Sequence, residues 1–283
     1  MTAPFPPAST QHPLAVITGG AGGIGRLVIS GLLTAGYHVI ALTRLGTVPT
    51  LEQSPDVTNI RCDLGDPQAI GSAADRIRAL GAPVRALIHC AGVIVPQTVS
   101  NLDDGAISDQ VTVNLQAPIM LTTRLLDLVP RGGHVVFVNS MAAIVPLGGS
   151  SVYAATKFGL RGFALSLREE VRPRGIHVSS IFPGAVDTPM LQKEMQNGGS
   201  ALNFVTLPVP PQHIATLILR ALRQRGRDVF VPSSDGIFGQ LLLIFPALWQ
   251  KLLPVMLWMG EKGRRKYLRE RRDETRGSSN TPS

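Results

Sequence analysis

Leu14-Ala15-Val16-Ile17-Thr18-Gly19-Gly20-Ala21-Gly22-Gly23-Ile24-Gly25 is the stretch that decides the fold. A continuous apolar run that stops at a cluster of glycines reads as a strand buried on both faces, ending in a tight turn. The residues that follow, Arg26-Leu27-Val28-Ile29-Ser30-Gly31-Leu32-Leu33, repeat apolar side chains at spacings of three and four, which is the period of a helix with one buried face. Glycine belongs between the two for a physical reason. It permits the turn, lets backbone N–H groups approach a pyrophosphate closely, and sets that anion at the positive end of the helix.

Working outward, six further β-branched runs follow at residues 38–42, 59–61, 85–88, 134–138, 176–181 and 228–231, most of them separated by enough chain for a crossover helix. Seven strands alternating with helices predict an α/β fold, one doubly wound parallel sheet of the Rossmann type. The chain has 283 residues, 44% apolar and 16% charged, enough for one large core and incompatible with wholesale disorder. The expected organisation is a proline-rich leader at 1–13, one domain at 14–235, an apolar helical extension at 236–260 and a basic tail at 261–283. Cys62 and Cys90 form no CxxC pair, and the first residues show no secretory pattern, so a cytoplasmic setting is expected. The formal charge of +8 fits nucleic acid, anionic lipid or a phosphorylated ligand.

Several side chains carry candidate chemistry. About 20 residues beyond the glycines, where a carboxylate would hold the hydroxyls of an adenosine ribose, the chain reads Ala41-Leu42-Thr43-Arg44. A guanidinium there suits a 2′-phosphate, which favours NADP(H) over NAD(H). Asp63, after the third strand, is placed to accept from an adenine amino group. Tyr153 and Lys157, four apart in the helical run 151–171, share one helix face. An adjacent ammonium is expected to draw the phenol down from its reference pKa of about 10. Ser140 follows the fifth strand, at the carboxyl edge where such sheets bind ligands. His38, His134 and His177 each precede a valine in a strand and read as core or strand-end residues; no metal site is expected. Glu169-Glu170 reads as a solvated face, and Cys90 as a small inert thiol.

Together these motifs resemble the short-chain dehydrogenase/reductase superfamily over residues 14–231. The resemblance places Thr18, Gly19, Gly23 and Gly25 in the family's T-G-x-x-x-G-x-G turn, with Ile24 inside it, and Tyr153 and Lys157 in Y-x-x-x-K. It implies that Ser140 positions the substrate oxygen, that Tyr153 exchanges a proton with it, and that Asn114, in the helical run 104–128, holds a water of the proton relay. Lys157 would bind the nicotinamide ribose. Pro183-Gly184, with Val186 and Thr188, matches P-G-x-V-x-T, whose backbone and threonine contact the carboxamide. Ala91 and Gly92 keep the close approach to the adenosine ribose. Where the family has N-N-A-G, this chain has His89-Cys90-Ala91-Gly92, which puts the bracing of the central sheet in doubt.

Past the last strand, residues 237–259 hold one charge, Lys251, and as one helix would reach about 35 Å. Pro246, Pro254 and polar residues argue against a bilayer span; lying on a membrane, lining an apolar substrate entrance, or burial between subunits are the readings kept open. Beside it, Lys262, Arg264, Arg265, Lys266, Arg269, Arg271 and Arg272 crowd eleven positions, suited to anionic headgroups and lacking the aromatic interleaving of a nucleic-acid surface. The expected function is interconversion of a secondary alcohol and a carbonyl on a lipophilic substrate, by a homo-dimer or homo-tetramer. The alternative is a cofactor-binding regulator without turnover.

Overall fold

The computed structural model describes residues 12–44 and 54–278, so most of the expected leader lies outside the described residues. Seven strands, β1 (Leu14–Thr18), β2 (His38–Thr43), β3 (Val57–Arg61), β4 (Val84–His89), β5 (His134–Val138), β6 (His177–Pro183) and β7 (Asp228–Val231), form one sheet. Their order is β3-β2-β1-β4-β5-β6-β7, and every pairing is parallel.

Continuous apolar strands are explained by the two layers they serve. Ala15 and Ile17 of β1 join a core built with Val28, Ile29 and Leu32 of α1 (Gly25–Thr34) and Ile214 and Ile218 of α7 (Pro211–Ala221). Leu14 and Val16 point the other way, into a core with α2 (Pro67–Arg78), α4 (Ala117–Leu125) and α5 (Ser151–Val171). Because successive strand side chains alternate between faces, both must be apolar when helices cover both. The run 104–128 is helical as expected but not uniform. It begins as α3 (Asp104–Val111), widens into a π-helical turn at Thr112–Gln116 around Asn114, and resumes as α4.

The C-terminal extension departs from a single apolar helix. α8 (Ser233–Ile244) ends before Phe245, and α9 (Pro246–Ser278) starts anew. A proline has no N–H and pushes the residue before it out of helical geometry, which accounts for the break at Pro246. α9 then runs through the boundary expected at residue 260, so the apolar stretch and the basic segment up to Ser278 are one element. Its inner face is Met256, Gly260, Gly263 and Tyr267, at helical spacing. The two glycines let it touch the Ala201–Phe204 turn: a Cβ on Gly260 would lie 2.1 Å from the Ala201 carbonyl oxygen, and one on Gly263 1.9 Å from that of Phe204. Tyr267, 6% exposed, closes a small apolar cluster with Phe204 and Leu191. No described helix is long and apolar enough to cross a membrane.

At the end of β4, where His89 and Cys90 stand in place of two asparagines, the chain is braced by Thr18 and by His89 itself. The Thr18 hydroxyl accepts from the N–H groups of Cys90 and Ala91 at 3.1 and 3.2 Å. His89 is buried, hydrogen-bonds the Thr122 hydroxyl at 2.8 Å and stacks on Phe137 at 4.9 Å. Burial lowers its pKa to about 3; that of His134, also buried, falls to about 4. Below the unfolded value of about 6.5, the unfolded chain takes up protons that these rings refuse, so stability falls with pH by roughly 1.4 kcal/mol per unit for each. Urea unfolding should therefore show the midpoint dropping between neutral pH and pH ~4, and His89→Gln, less stable at neutral pH, should show a shallower fall. An unchanged slope would remove His89 from this account.

Candidate active site

Ser140, Tyr153 and Lys157 come together at the carboxyl edge of β5 and the first turns of α5, on a cavity of about 390 Å³. Ser140 caps the short turn Met141–Ala143, its Oγ accepting from the Ala142 N–H at 3.1 Å. Its hydroxyl lines the same cavity as the Tyr153 phenol and favours the ionised phenol. Lys157 is 3% exposed and donates to the Val138 carbonyl at 3.2 Å, its Nζ standing 5.6 Å from the centre of the Tyr153 ring.

The lowering of the phenol expected from Lys157 is not what this geometry produces. Burial pushes the Tyr153 phenol up to about 12, against the pull of Ser140 and with a further upward push from Glu194. Burial also pulls Lys157 down to about 8. An ammonium that is itself desolvated and turned toward a backbone carbonyl leaves the phenol protonated at neutral pH.

Asn114 lies behind this pair and is completely buried. Its amide spans Val93, with Oδ1 accepting from the N–H and Nδ2 donating to the carbonyl, both at 2.8 Å, and Nδ2 also reaches the Thr156 hydroxyl at 3.3 Å. The side chain is thus spent on holding the β4 loop against α5. Thr18 is likewise a buried brace. Of the other expected residues, Ile24, Ala91, Gly92, Pro183, Gly184, Val186 and Thr188 line the Tyr153 cavity.

A second space, about 430 Å³, continues from the first past Ile24 and Thr188. It is lined by Gly19, Gly23, Gly25, Arg44, Asp63, Ala91 and Gly92. The cradle needs glycine. A Cβ on Gly25 would meet the Gly19 carbonyl oxygen at 2.2 Å, and one on Gly19, whose φ is +71°, would meet Ala91 Cα at 2.7 Å. α1 starts here with no side-chain cap and no acid in its first turn, a free positive end for a pyrophosphate. Arg44 and Asp63 are both exposed at its far end, and Asp63 Oδ1 accepts from the Gly65 N–H at 2.9 Å. These features fit a dinucleotide, its pyrophosphate on the glycine turn and its nicotinamide end beside Tyr153 and Lys157. Among the described residues there is no cluster of three or more groups able to hold a metal.

Residues 13–198 match the short chain dehydrogenase family. The chain belongs to that family. As a short-chain dehydrogenase it is an oxidoreductase that uses NAD(P)(H). The 3-oxoacyl-acyl-carrier-protein reductase MabA of Mycobacterium avium is 28% identical over 229 residues, covering 79% of this chain and 84% of that protein. The 3-ketodihydrosphingosine reductase of Dictyostelium discoideum is 26% identical over 205 residues, covering 63% and 61%. A short chain dehydrogenase from Burkholderia cenocepacia J2315, solved in complex with NADP, shares the fold with a TM-score of 0.72 at 22% identity, over 86% of this chain and 98% of its own.

Phe238, Met256 and Met259 of the extension line the cavity, in keeping with the reading of that segment as an apolar substrate entrance. Glu194 and Asn203, which line it too, belong to no motif of the sequence. Tyr267, read as part of a tail, donates to Asp187 Oδ1 at 2.7 Å, inside the Pro183–Thr188 segment. Cys62 and Cys90 have thiols pushed up to about 11 and about 12 by burial, as inert residues should. Glu169 and Glu170 are exposed.

The value near 8 for Lys157 has a kinetic consequence. Carbonyl reduction should fall as pH rises through about 8, where the ammonium is lost, and Lys157→Arg should move that bend out of the accessible range. A bend that stays in the arginine variant would assign it to another group.

Proposed function

We propose that this short-chain dehydrogenase prefers NADP(H) and interconverts a secondary alcohol and a carbonyl on a lipophilic substrate. The observation that carries this reading is the composition of the Tyr153 cavity. Beside Ser140, Tyr153 and Lys157, and the polar side chains of Glu194, Asn203, Thr206 and Asp235, the cavity has apolar walls from Val145, Leu147, Leu202, Phe238, Met256 and Met259. Such walls gain from burying hydrocarbon and gain nothing from a sugar or other polyol. The relatives named for a 3-oxoacyl and a 3-keto substrate support a ketone on a long chain.

When bound, the nicotinamide supplies or takes the hydride at the substrate carbon. The chain's own residues handle the oxygen. Ser140 donates a hydrogen bond to it, and Tyr153, protonated because it is buried, gives it the proton during reduction. Lys157 holds the ribose and restores charge beside the phenol. Asn114, its side chain spent on Val93 and Thr156, has its main chain at the π-helical turn to hold a relay water. Gly19, Gly23, Ile24 and Gly25 take the pyrophosphate, Asp63 the adenine, and Ala91 and Gly92 the ribose. Pro183, Gly184, Val186 and Thr188 border the carboxamide.

Arg44 supports the preference for NADP(H): it lines the far end of the cofactor groove, and a guanidinium pairs well with a phosphate. In calorimetric titrations Arg44→Ala should lose about tenfold or more in NADPH affinity while NADH changes less than about threefold. Parallel losses for both would contradict the assignment.

The outer faces of α8 and α9 support a peripheral membrane contact. Ile244, Phe245, Val255 and Trp258 are 67%, 57%, 54% and 62% exposed, next to the basic second half of α9. A homo-dimer or homo-tetramer through α3–α5 is the family-based reading, and Val111 and Leu165 are exposed there. The full chain should sediment with anionic vesicles, less so after Val255→Ser with Trp258→Ser; a chain that stays in the supernatant rejects the membrane contact.

A further inference from the structure

Two carboxylates line the Tyr153 cavity, and one of them is short of partners. Glu194, in α6 (Pro189–Gln196), lines the same space as Ser140 and Tyr153 and is only 8% exposed. A carboxylate is almost never this buried without partners. Among the described residues its side chain has one, Asn203, whose Nδ2 donates to Oε1 at 2.6 Å. An ionised carboxylate offers about four acceptor sites. Asn203 meets only Oε1, and the residue lines the cavity, so a group bound there can supply a further partner.

The surrounding charges say what kind of partner. Lys157 is the one cationic side chain among the residues lining the cavity, and it is held by the Val138 carbonyl. The second carboxylate there, Asp235, already accepts from Thr206 at 3.3 Å and from Ser234 at 3.1 Å. Burial raises the Glu194 carboxyl above the usual carboxylate range, the mark of a charge lacking compensation. Glu194 and Tyr153 line the same cavity, so one substrate can meet both. An anionic group in this wall would be repelled, an apolar one would leave the carboxylate unpaired, and an ammonium would pair it.

We propose that Glu194 is a specificity-determining residue that receives an ammonium group carried near the reacting carbon, so that the substrates are lipophilic amino ketones and amino alcohols. This rests on the lipophilic carbonyl reading of the cavity.

Binding can be measured apart from turnover. Octylamine, octanol and octanoate would be titrated calorimetrically into the full-length protein, its Glu194→Gln variant, which keeps an acceptor for Asn203, and Glu194→Asp, which keeps the charge. The wild type should bind octylamine about tenfold or more tighter than octanol, with octanoate weakest; Glu194→Gln should bring amine and alcohol within about threefold, and Glu194→Asp should retain part of the preference. An equal preference for octanol, or an amine preference that survives Glu194→Gln, overturns the assignment. Reduction of unsubstituted long-chain ketones by the wild type tests the parent reading separately. If ketones are reduced but the amine preference is missing, the Glu194 assignment alone falls. If the preference is present and neither unsubstituted nor amino-substituted long-chain ketones are reduced, the parent reading falls.

Discussion

The structure depends on two backbones coming closer than any side chain would allow. At the switch point of the sheet, where β1 stands between β2 and β4, Gly19 approaches Ala91 so closely that a Cβ would sit 2.7 Å from its Cα. The turn then folds back until Gly25 rests on the Gly19 carbonyl oxygen. These contacts set the start of α1, the direction of its uncapped N–H groups, and the floor of the cofactor groove. Thr18 fastens the same junction by accepting from both Cys90 and Ala91. Thr188 meets the turn from the far side, 3.1 Å from where a Gly23 Cβ would be, so the cofactor groove and the substrate cavity share one wall.

From that junction outward, the chemistry is a matter of what is buried and what compensates it. Tyr153 and Lys157 are both desolvated, which keeps the phenol protonated and the ammonium weak. The C-terminal extension completes the cavity. With Gly260 and Gly263 on the inner face of α9, the helix seats against the Ala201–Phe204 turn; Met256 and Met259 reach the substrate space, and Tyr267 is tied to Asp187. The basic residues beyond Gly260 are therefore carried on a docked helix that also forms the roof of the site.

The sheet was legible because every strand between two helical layers must be apolar at successive positions, and no other arrangement asks this of so many short segments. The glycine turn was legible from its place between a strand and a helix, whereas Tyr153, Lys157 and Ser140, common pairings on their own, were legible only through the family resemblance they complete with it. The tuning of Tyr153 was not, since it comes from burial on tertiary packing rather than from the ammonium four residues away. The π-helical turn at Asn114 and the break at Phe245 were hidden for different reasons: one leaves the helical period almost unchanged, and the other needed Pro246, unlike Pro254 inside α9, to be recognised as a helix start. Tyr267 fell inside the expected basic tail because its neighbours in sequence are charged, while its partner Asp187 lies 80 residues away along the chain.

The central claim is that this fold delivers a hydride to a lipophilic carbonyl with Tyr153 supplying the proton. The most direct measurement is transfer of deuterium from NADPH labelled at C4 of the nicotinamide to a long-chain ketone, followed by mass spectrometry in wild type and Tyr153→Phe. The account predicts label in the product alcohol for wild type, and loss of about 10²-fold or more in rate for the variant while it still binds NADPH. Unlabelled product, or equal rates in the two proteins, would contradict it.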